Sequence, residues 1–206
     1  MALKEEFRDF ARKNSLFTQK DRILLAVSGG IDSMVMFHLF AGIKSDIVAA
    51  HCNFKLRGTE SDLDEELVRN YAERNNIPFV SVSFDTAGYA DEKGLSIQMA
   101  ARDLRYKWFE EMKAENKCSL IAVAHNMNDN IETLLINLTR GTGLTGLAGM
   151  KPFFNGIIRP LLFATRSGIE NYCNEYRIPY REDRSNAETL YIRNKIRHLV
   201  IPVLKE

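Results

Sequence analysis

The sequence has little cysteine, little net charge and no long hydrophobic run, and each shortage argues against a class of protein. Its three cysteines lie far apart without a C-x-x-C pair, so neither a disulfide framework nor a thiolate metal site is expected. The net charge is +1, so a polyanionic partner would have to be held by local basic patches. No apolar run approaches membrane-spanning length, and residues 1–6 are too charged for a signal peptide. We therefore expect a globular protein of the reducing cytoplasm, without a membrane association.

The order of apolar patterns predicts the fold class. The chain has 206 residues, 45% of them hydrophobic, which is enough for one substantial core. Runs typical of buried strands alternate with helical spacings, so we predict an α/β fold with a doubly wound parallel sheet and helices on both faces. The predicted strands are 23–27, 47–51, 79–82 and 120–124. The predicted helices are 3–17, 34–40, 60–76, 96–114, 129–140, 167–176 and 191–198, and 85–94 is predicted to be a loop. We expect a catalytic core at about 20–165 and a helical extension at about 166–206.

The segment 28–33, Ser-Gly-Gly-Ile-Asp-Ser, joins the first predicted strand to a buried helix. Glycines let the backbone approach a phosphate closely, and the unpaired N–H groups of a helix start point toward it. Neither G-x-x-x-x-G-K-[ST] nor G-x-G-x-x-G occurs, which excludes two better-known phosphate loops. Asp32 lies just inside the helix. A carboxylate there implies a metal ion beside the phosphate, or it only stabilises the helix N-terminus.

Polar clusters also follow the other predicted strands, and ligands of parallel sheets bind beyond the carboxyl ends of the strands. Asp129 and Glu132 are three residues apart near a helix start. They could hold Mg²⁺, bind an ammonium group, act as a base toward an amine, or only complement the helix dipole. Arg102 and Arg105 could neutralise phosphate charge or cover an apolar helix face with their stems. We favour Arg102 as functional because it follows two alanines.

Three further segments could contact nucleic acid. The basic segment 55–58 suits a phosphate backbone or a closing lid, and is equally typical of a solvated loop. The glycine-dense segment 140–150 is either a helix end with a tight loop or a turn that contacts substrate. The basic, partly aromatic segment 191–198 could contact an RNA backbone or form a solvated helix face.

Together these motifs resemble a known family. Residues 28–33 match the S-G-G-x-D-S signature of the ATP pyrophosphatase, or PP-loop, superfamily. From Ser28 to about Pro202 the chain resembles the catalytic domain of the tRNA(Ile)-lysidine synthases. The segments that carry this resemblance are 51–61, 100–106, 124–150, 159–161, 181–186 and 193–197.

The resemblance implies a ligase that forms a C–N bond on the wobble cytidine of tRNA(Ile) with a CAU anticodon. ATP would adenylate the C2 oxygen of the base and release pyrophosphate, and the ε-amine of L-lysine would then displace AMP to give lysidine. The implied cofactors are ATP and Mg²⁺. The implied partners are the tRNA and lysine, and a homodimer is a further expectation.

The resemblance also implies roles for individual residues. The implied catalytic residues are Asp32, Arg102, Asp129 and Glu132, of which Asp32 and Asp129 are also the implied metal ligands. Arg102 would steady the reacting groups, while Asp129 and Glu132 would receive the lysine ammonium or help to deprotonate it. The implied ATP-binding residues are Ser28, Gly29, Gly30, Ile31, Asp32, Ser33, His51 and Asn53. The implied substrate or tRNA contacts are Arg57, Arg105, Arg140, Arg193 and Arg197.

Two features depart from the family pattern. Asn126 and Asn128 stand where the family often has a second histidine and a second carboxylate, which leaves the metal ligands open. Family members also usually carry C-terminal tRNA-binding domains, which we expect to be absent from this chain. The alternatives are a thiolation-type tRNA enzyme, which would normally need paired cysteines, an amidotransferase-type synthetase, and a nucleotide-binding module without turnover.

Overall fold

Strands and helices alternate along the chain. The structure is a computed structural model, and it describes residues 2–43, 46–143, 148–182, 195–201 and 203. The helices are α1 (Ala2–Lys13), α2 (Ile31–Gly42), α3 (Thr59–Arg74), α4 (Thr86–Lys93), α5 (Ile97–Glu115), α6 (Met127–Thr139) and α7 (Arg166–Tyr176), followed by a short π-helix, Ile196–Val200. The strands are β1 (Arg22–Ala26), β2 (Asp46–Asn53), β3 (Phe79–Ser83), β4 (Leu120–Ala122), β5 (Phe153–Phe154) and β6 (Ile157–Ile158). None of the helices in these described ranges is long and apolar enough to cross a membrane.

The strands form one six-stranded sheet in the order β3-β2-β1-β4-β6-β5. Every pair of neighbours is parallel except β5 and β6, which form an antiparallel hairpin. The predicted doubly wound α/β fold is confirmed. Strand β1 lies between β2 and β4, so the chain leaves β1 toward one side and later returns to its other side. That point, where the strand order reverses, is where sheets of this kind bind ligands.

Both faces of the central strands are buried. Ile23 and Leu25 of β1 belong to a core that also contains residues of α1, α2 and α7. Leu24 points to the opposite face and packs in a second core with Trp108 and Phe109 of α5. Because successive side chains of a strand alternate between faces, a strand covered on both sides consists of consecutive apolar residues. This is why β1 and β2 could be recognised in the sequence.

The segment 85–94 was wrongly predicted to be a loop, because residues 86–93 form α4. Asp85 caps the helix by accepting a hydrogen bond from the Gly88 amide at 3.0 Å, and Gly94 ends it with a left-handed backbone (φ 63°). Thr86 and Ala90 are the buried positions that α4 contributes. The helix is therefore specified by its two ends and shows too weak an apolar face to be recognised by periodicity.

The β5–β6 hairpin was not predicted either. Its two-residue turn, Asn155-Gly156, has positive φ at both positions, 48° and 73°. Such a turn matches the twist of the strands that it joins, and Asn-Gly is its preferred sequence. The sequence does contain the hairpin signal, an Asn-Gly pair between two pairs of apolar residues. Strands of two residues are, however, too short to show the alternating pattern by which strands are recognised.

Several element ends differ from the prediction. Helix α1 ends at Lys13 rather than near Phe17, and the chain turns at Ser15, whose φ is 48°. Strand β4 ends at Ala122, two residues early. Most of the predicted helix 191–198 lies outside the described residues.

Candidate active site

A cavity of about 710 Å³ opens at the carboxyl ends of β1, β2 and β4. This volume is within the range of small-molecule sites. Part of the wall is apolar, and its members include Val27, Phe54, Phe109 and Val123. The charged side chains that line it in the described part of the chain are four arginines and three carboxylates: Arg57, Arg105, Arg166, Arg181, Asp32, Asp64 and Glu182. The cavity thus joins an apolar wall to a basic one.

The loop 28–33 forms the floor of this cavity and is held by its own hydroxyl groups. The Ser28 amide donates to Oγ of Ser33 at 3.1 Å, and this hydroxyl donates to the Gly30 carbonyl at 2.8 Å. Gly30 is the N-cap residue of α2 and has no side chain with which to cap the helix. The first amides of α2 therefore face the cavity as anion donors.

Gly29 can hardly be replaced, for two reasons. Its φ of 91° lies in the left-handed region, which residues with a Cβ avoid. A Cβ at this position would also lie 3.4 Å from both the Cβ and the carbonyl oxygen of Asp64 in α3. The loop is therefore packed directly on α3.

Asp64 is a buried carboxylate that connects three segments of the site. It accepts hydrogen bonds from Nη2 of Arg57 at 2.6 Å and from Nε of Arg181 at 2.9 Å. The Arg181 amide in turn donates to the Gly29 carbonyl at 3.0 Å. Helix α3 begins after Gly58, so Asp64 lies inside the helix and supports the phosphate loop from there.

Asp32 is the centre of a second cluster. It accepts hydrogen bonds from Nη1 of Arg166 at 2.9 Å and from Nδ2 of Asn126 at 3.0 Å. Asn126 is also the N-cap of α6, where its side chain and amide exchange two hydrogen bonds of 3.0 Å with Asp129. Asp32 and Asp129 are thereby joined through one asparagine. Asn128 holds the same cluster from the other side, because its Oδ1 accepts from the Arg166 amide at 3.2 Å.

A family model described as a PP-loop domain matches residues 2–204. The chain belongs to the PP-loop family. Membership in this family implies that the chain binds ATP, and the helix-start cradle formed by residues 28–33 agrees with this.

Relatives within the PP-loop family are tRNA(Ile)-lysidine synthases. The one from Porphyromonas gingivalis strain W83 is 45% identical over 208 residues, covering 100% of this chain and 46% of that protein. The one from Bacillus subtilis is 40% identical over 206 residues, covering 97% of this chain and 44% of that protein. The resemblance found in the sequence is confirmed. The chain spans less than half the length of these curated relatives.

Solved structures show the same fold at low sequence identity. A U34-tRNA thiolase from Methanococcus maripaludis superposes with a TM-score of 0.80 at 19% identity, covering 98% of this chain and 73% of that one. An NH3-dependent NAD synthetase from Campylobacter jejuni gives a TM-score of 0.59 at 18% identity, with coverages of 86% and 73%. At such identities the likeness concerns the fold alone.

Some residues predicted for the PP-loop site line the cavity, and others do not. The cavity is lined by Ser28, Gly30, Ile31, Asp32, Ser33, Arg57 and Arg105. Arg102 lies outside it and lines a neighbouring cavity of about 490 Å³ together with Tyr106, which both cavities share. Arg105, for which the spacing gave no preference, lies inside, with its guanidinium 5.1 Å from the Phe54 ring centre. Burial lowers the pKa of Arg105.

Four of the other predicted residues lie beneath the cavity or away from it. His51 and Asn53 are buried in β2, and the Asn53 amide group donates to Asp62 and Glu65. Glu132 is completely buried in α6. Arg140 is exposed at the far end of α6, about 17 Å along the helix from Asp129. Arg193 and the side chain of Arg197 lie outside the described residues.

Sequence reasoning does not identify Asp64, Arg166 and Arg181 as site residues. Arg181 lay in a segment quoted for the family resemblance, but its partner Asp64 is 117 residues away. Arg166 is 134 residues from Asp32 and precedes a predicted helix without any motif of its own. Contacts at such separations depend on strand order, which local patterns do not specify.

His51 makes the stability of the fold depend on pH. Burial lowers the pKa of its imidazole below the ordinary value of 6.5, and its Nδ1–H donates to the Val27 carbonyl at 2.8 Å. The unfolded chain therefore takes up a proton near pH 6.5 that the folded chain refuses, so stability present at pH 7.5 is lost as the pH falls. We expect His51 to account for about 1 kcal/mol of the loss between pH 7.5 and 5.5.

Urea unfolding of the wild type and of His51→Gln at both pH values checks this expectation. The variant should lose less stability on acidification than the wild type, whatever its stability at pH 7.5. His38, whose pKa is also lowered by burial, remains in both proteins and so cancels in the comparison. Equal losses in the two proteins would contradict the assignment.

Proposed function

We propose that this chain carries the catalytic site of a tRNA(Ile)-lysidine synthase, which ligates L-lysine to C2 of the wobble cytidine of tRNA(Ile) with consumption of ATP. The observation that carries the proposal is the cluster of Asp32, Asn126 and Asp129 beside the phosphate loop. In this cluster Asp129, whose carboxylate is suited to an amine, is linked through Asn126 to Asp32, whose carboxylate lies beside the phosphate loop. The identity of 45% to the Porphyromonas gingivalis enzyme supports the same function.

The chain's own residues account for nucleotide binding in this proposal. The amides at the start of α2 and the hydroxyl of Ser28 receive the phosphates, while the hydroxyl of Ser33 holds the loop in shape through the Gly30 carbonyl. The apolar wall with Val27 and Phe109 is suited to the adenine ring. Arg105, one turn from Phe109 on α5, brings a positive charge to the same space, where developing negative charge needs it.

The residues present also fit a magnesium ion. Mg²⁺ in nucleotide sites is held by one or two carboxylates plus phosphate oxygens. Asp32 supplies one carboxylate beside the phosphate loop, and Asp129 is a second candidate because both bond to Asn126. When bound, the ion would offset phosphate charge as ATP is cleaved.

The lysine step needs a neutral amine, because an ammonium group has no lone pair with which to attack. In this proposal Asp129 receives the lysine ammonium and accepts its proton. Glu132 is completely buried one turn further along α6 and would act through the packing of that helix. Arg102 faces the neighbouring cavity and would serve the acceptor base from there. The tRNA contacts of Arg57, Arg140, Arg193 and Arg197, a homodimer and a cytoplasmic location also remain predictions.

A thiolation-type reaction is the nearest alternative and has less support. Cys52 lines the cavity, but burial raises the pKa of its thiol to about 12, so it is not a ready nucleophile. Cys118 and Cys173 are buried and are not among the residues that line the cavity. The described part of the chain also holds no cluster of three or more His, Cys, Asp or Glu side chains able to bind a metal.

The proposal is tested by transfer of labelled lysine to bulk bacterial tRNA in the presence of ATP and Mg²⁺, with AMP and ADP measured in the same reaction. We expect label that survives mild base, which strips aminoacyl esters, together with AMP rather than ADP. The same assay is run on a chimera in which this chain replaces the matching 44% of the Bacillus subtilis relative.

The outcomes separate the two halves of the reaction. Stable label with AMP, from either protein, supports lysidine formation. If AMP forms only in the presence of tRNA but no label is transferred, the adenylation step is supported and the attacking group is something other than lysine. If the chimera forms neither labelled tRNA nor AMP, the proposal is contradicted.

A further inference from the structure

Arg166 presents its guanidinium to the cavity beside Asp32. Its Nη1 donates to Oδ2 of Asp32 at 2.9 Å, and its Nε donates to Oε1 of Glu170 at 2.7 Å. The side chain is 42% exposed, against 27% for Asp32. Arg166 thus reaches the phosphate loop from α7, an element far away in the sequence.

The backbone of Arg166 is fixed although its side chain is accessible. Its amide donates to Oδ1 of Asn128 at 3.2 Å, and the Met127 amide donates to the Ala164 carbonyl at 2.9 Å. Thr165 caps α7 by accepting from the Gly168 amide. The start of α7 is therefore anchored to the start of α6, and motion at this position is confined to the long side chain.

The charges at this site make the contact between Asp32 and Arg166 exchangeable. A carboxylate next to a polyphosphate is unfavourable unless a cation lies between them. The pair of Asp32 and Arg166 carries no net charge. If a divalent cation took the place of Arg166 beside Asp32, the guanidinium would be released to bind the phosphates. A guanidinium carries five N–H donors in a planar fork, so it can leave one carboxylate for two phosphate oxygens while Nε keeps Glu170.

The other arginines of the cavity wall are held differently. Arg57 and Arg181 share the buried Asp64, and Arg105 lies against the ring of Phe54. Exchanging those contacts would disturb the packing beneath the phosphate loop. The contact of Arg166 joins two side chains that are both partly exposed.

We propose that Arg166 binds the pyrophosphate end of ATP, and that its ion pair with Asp32 is the resting contact that this binding replaces. The inference rests on the proposed function. In the adenylation step the acceptor oxygen bonds to the α-phosphorus while the bond from that phosphorus to the bridging oxygen of the β-phosphate breaks. The electron pair of the broken bond leaves with pyrophosphate, and Arg166 neutralises part of that charge.

Calorimetric titration with inorganic pyrophosphate, ATP and AMP, each with Mg²⁺, tests the proposal on the wild type, Arg166→Gln and Arg12→Gln. Arg12 is the matched control, because it pairs with a carboxylate (Asp9, 2.8 Å) on the exposed side of α1. We expect Arg166→Gln to bind pyrophosphate and ATP about tenfold to a hundredfold more weakly, with AMP affinity unchanged. Arg12→Gln should bind all three ligands like the wild type.

A second titration isolates the exchange itself. Without divalent metal, Asp32→Asn should bind pyrophosphate more tightly than the wild type, because Arg166 no longer has to leave a carboxylate. The gain should be smaller in the Arg166→Gln background, where Asp32→Asn relieves only the direct repulsion between Asp32 and pyrophosphate. The double-mutant cycle thereby measures the coupling between the two residues.

The possible failures are distinguishable. If the wild type binds ATP and pyrophosphate and Arg166→Gln binds them equally well, Arg166 is not a ligand of the leaving group. If Arg166→Gln loses AMP affinity by the same factor, Arg166 only maintains the site, and the proposal is overturned. If the wild type binds none of the three ligands, the proposed function itself fails.

Discussion

Replacing Asp64 with alanine is expected to lower the free energy of unfolding by about 2–3 kcal/mol and to weaken ATP binding at least tenfold. The carboxylate is buried, with 8% of its side chain exposed, and it is shared by Arg57 and Arg181. Removing it leaves two guanidinium groups close together without their common counter-charge. The cost stays below that of a fully buried ion pair, because about a third of each arginine side chain is exposed and can be hydrated.

The binding defect should exceed what the loss of stability explains. The Arg181 amide holds the Gly29 carbonyl, and Gly29 packs on Asp64 itself. Without Asp64, Arg181 keeps its ion pair with Glu60 but loses its buried contact, and the phosphate loop loses part of its support from below. Because binding at a helix start requires several amides to converge on one anion, a loop that is free to move loses affinity even in the folded protein.

Thermal unfolding and ATP titration measure the two effects. For a domain of this size the melting temperature should fall by about 5–10 °C. Asp62→Ala is the control, since Asp62 lies on the same helix and pairs with Lys55, but over half of its side chain is exposed. It should have a much smaller effect on both quantities. ATP affinity that survives Asp64→Ala would show that the phosphate loop keeps its shape without this support.

The parts of the site that could be predicted are those encoded within one short segment. The loop 28–33 was recognisable because a strand, its glycine turn and the following helix start are contiguous. The acidic start of α6 was recognisable for the same reason. Asn126 was noted only as a departure from the family pattern. The sequence could not show that it bonds Asp32, which is 94 residues away, and so links Asp32 to Asp129. Local patterns indicate which residues are unusual, whereas the order of the strands decides which of them meet.

The two arginines of α5 show the same limit within one helix. Arg102 and Arg105 are three residues apart and equally compatible with the amphipathic pattern. The structure places Arg105 in the main cavity against Phe54 and Arg102 in the neighbouring one against Tyr106. The choice between them depends on how α5 is rotated about its axis over the sheet. That rotation follows from the packing of Trp108 and Phe109 in the second core. The apolar pattern of a helix shows which broad face is buried, but it does not fix the rotation closely enough to choose between the two arginines.

Replacing Asp129 with asparagine is expected to separate the two half-reactions of the proposed enzyme. Asp129 has a structural role as well as the proposed chemical one, because its Oδ2 accepts from the Asn126 amide in the cap of α6. An asparagine keeps an oxygen that can make this hydrogen bond but loses the negative charge. We therefore expect the fold and the cap to survive, lysine transfer to fall about a hundredfold or more, and tRNA-dependent pyrophosphate release in a single turnover to stay within a few-fold of the wild type.

Asp85→Asn is the control, since the carboxylate of Asp85 also accepts a backbone amide hydrogen bond at a helix start but is not part of the cluster with Asn126 and Asp32. It should leave both half-reactions unchanged. If Asp129→Asn transfers lysine at the wild-type rate, Asp129 is only a cap, and alanine at that position should then cost about 1 kcal/mol of stability with little effect on chemistry. If single-turnover pyrophosphate release falls as far as lysine transfer does, the charge of Asp129 acts in the ATP step. It would then belong with Asp32 as a magnesium ligand, and the acceptor of the lysine ammonium would have to be sought elsewhere in the site.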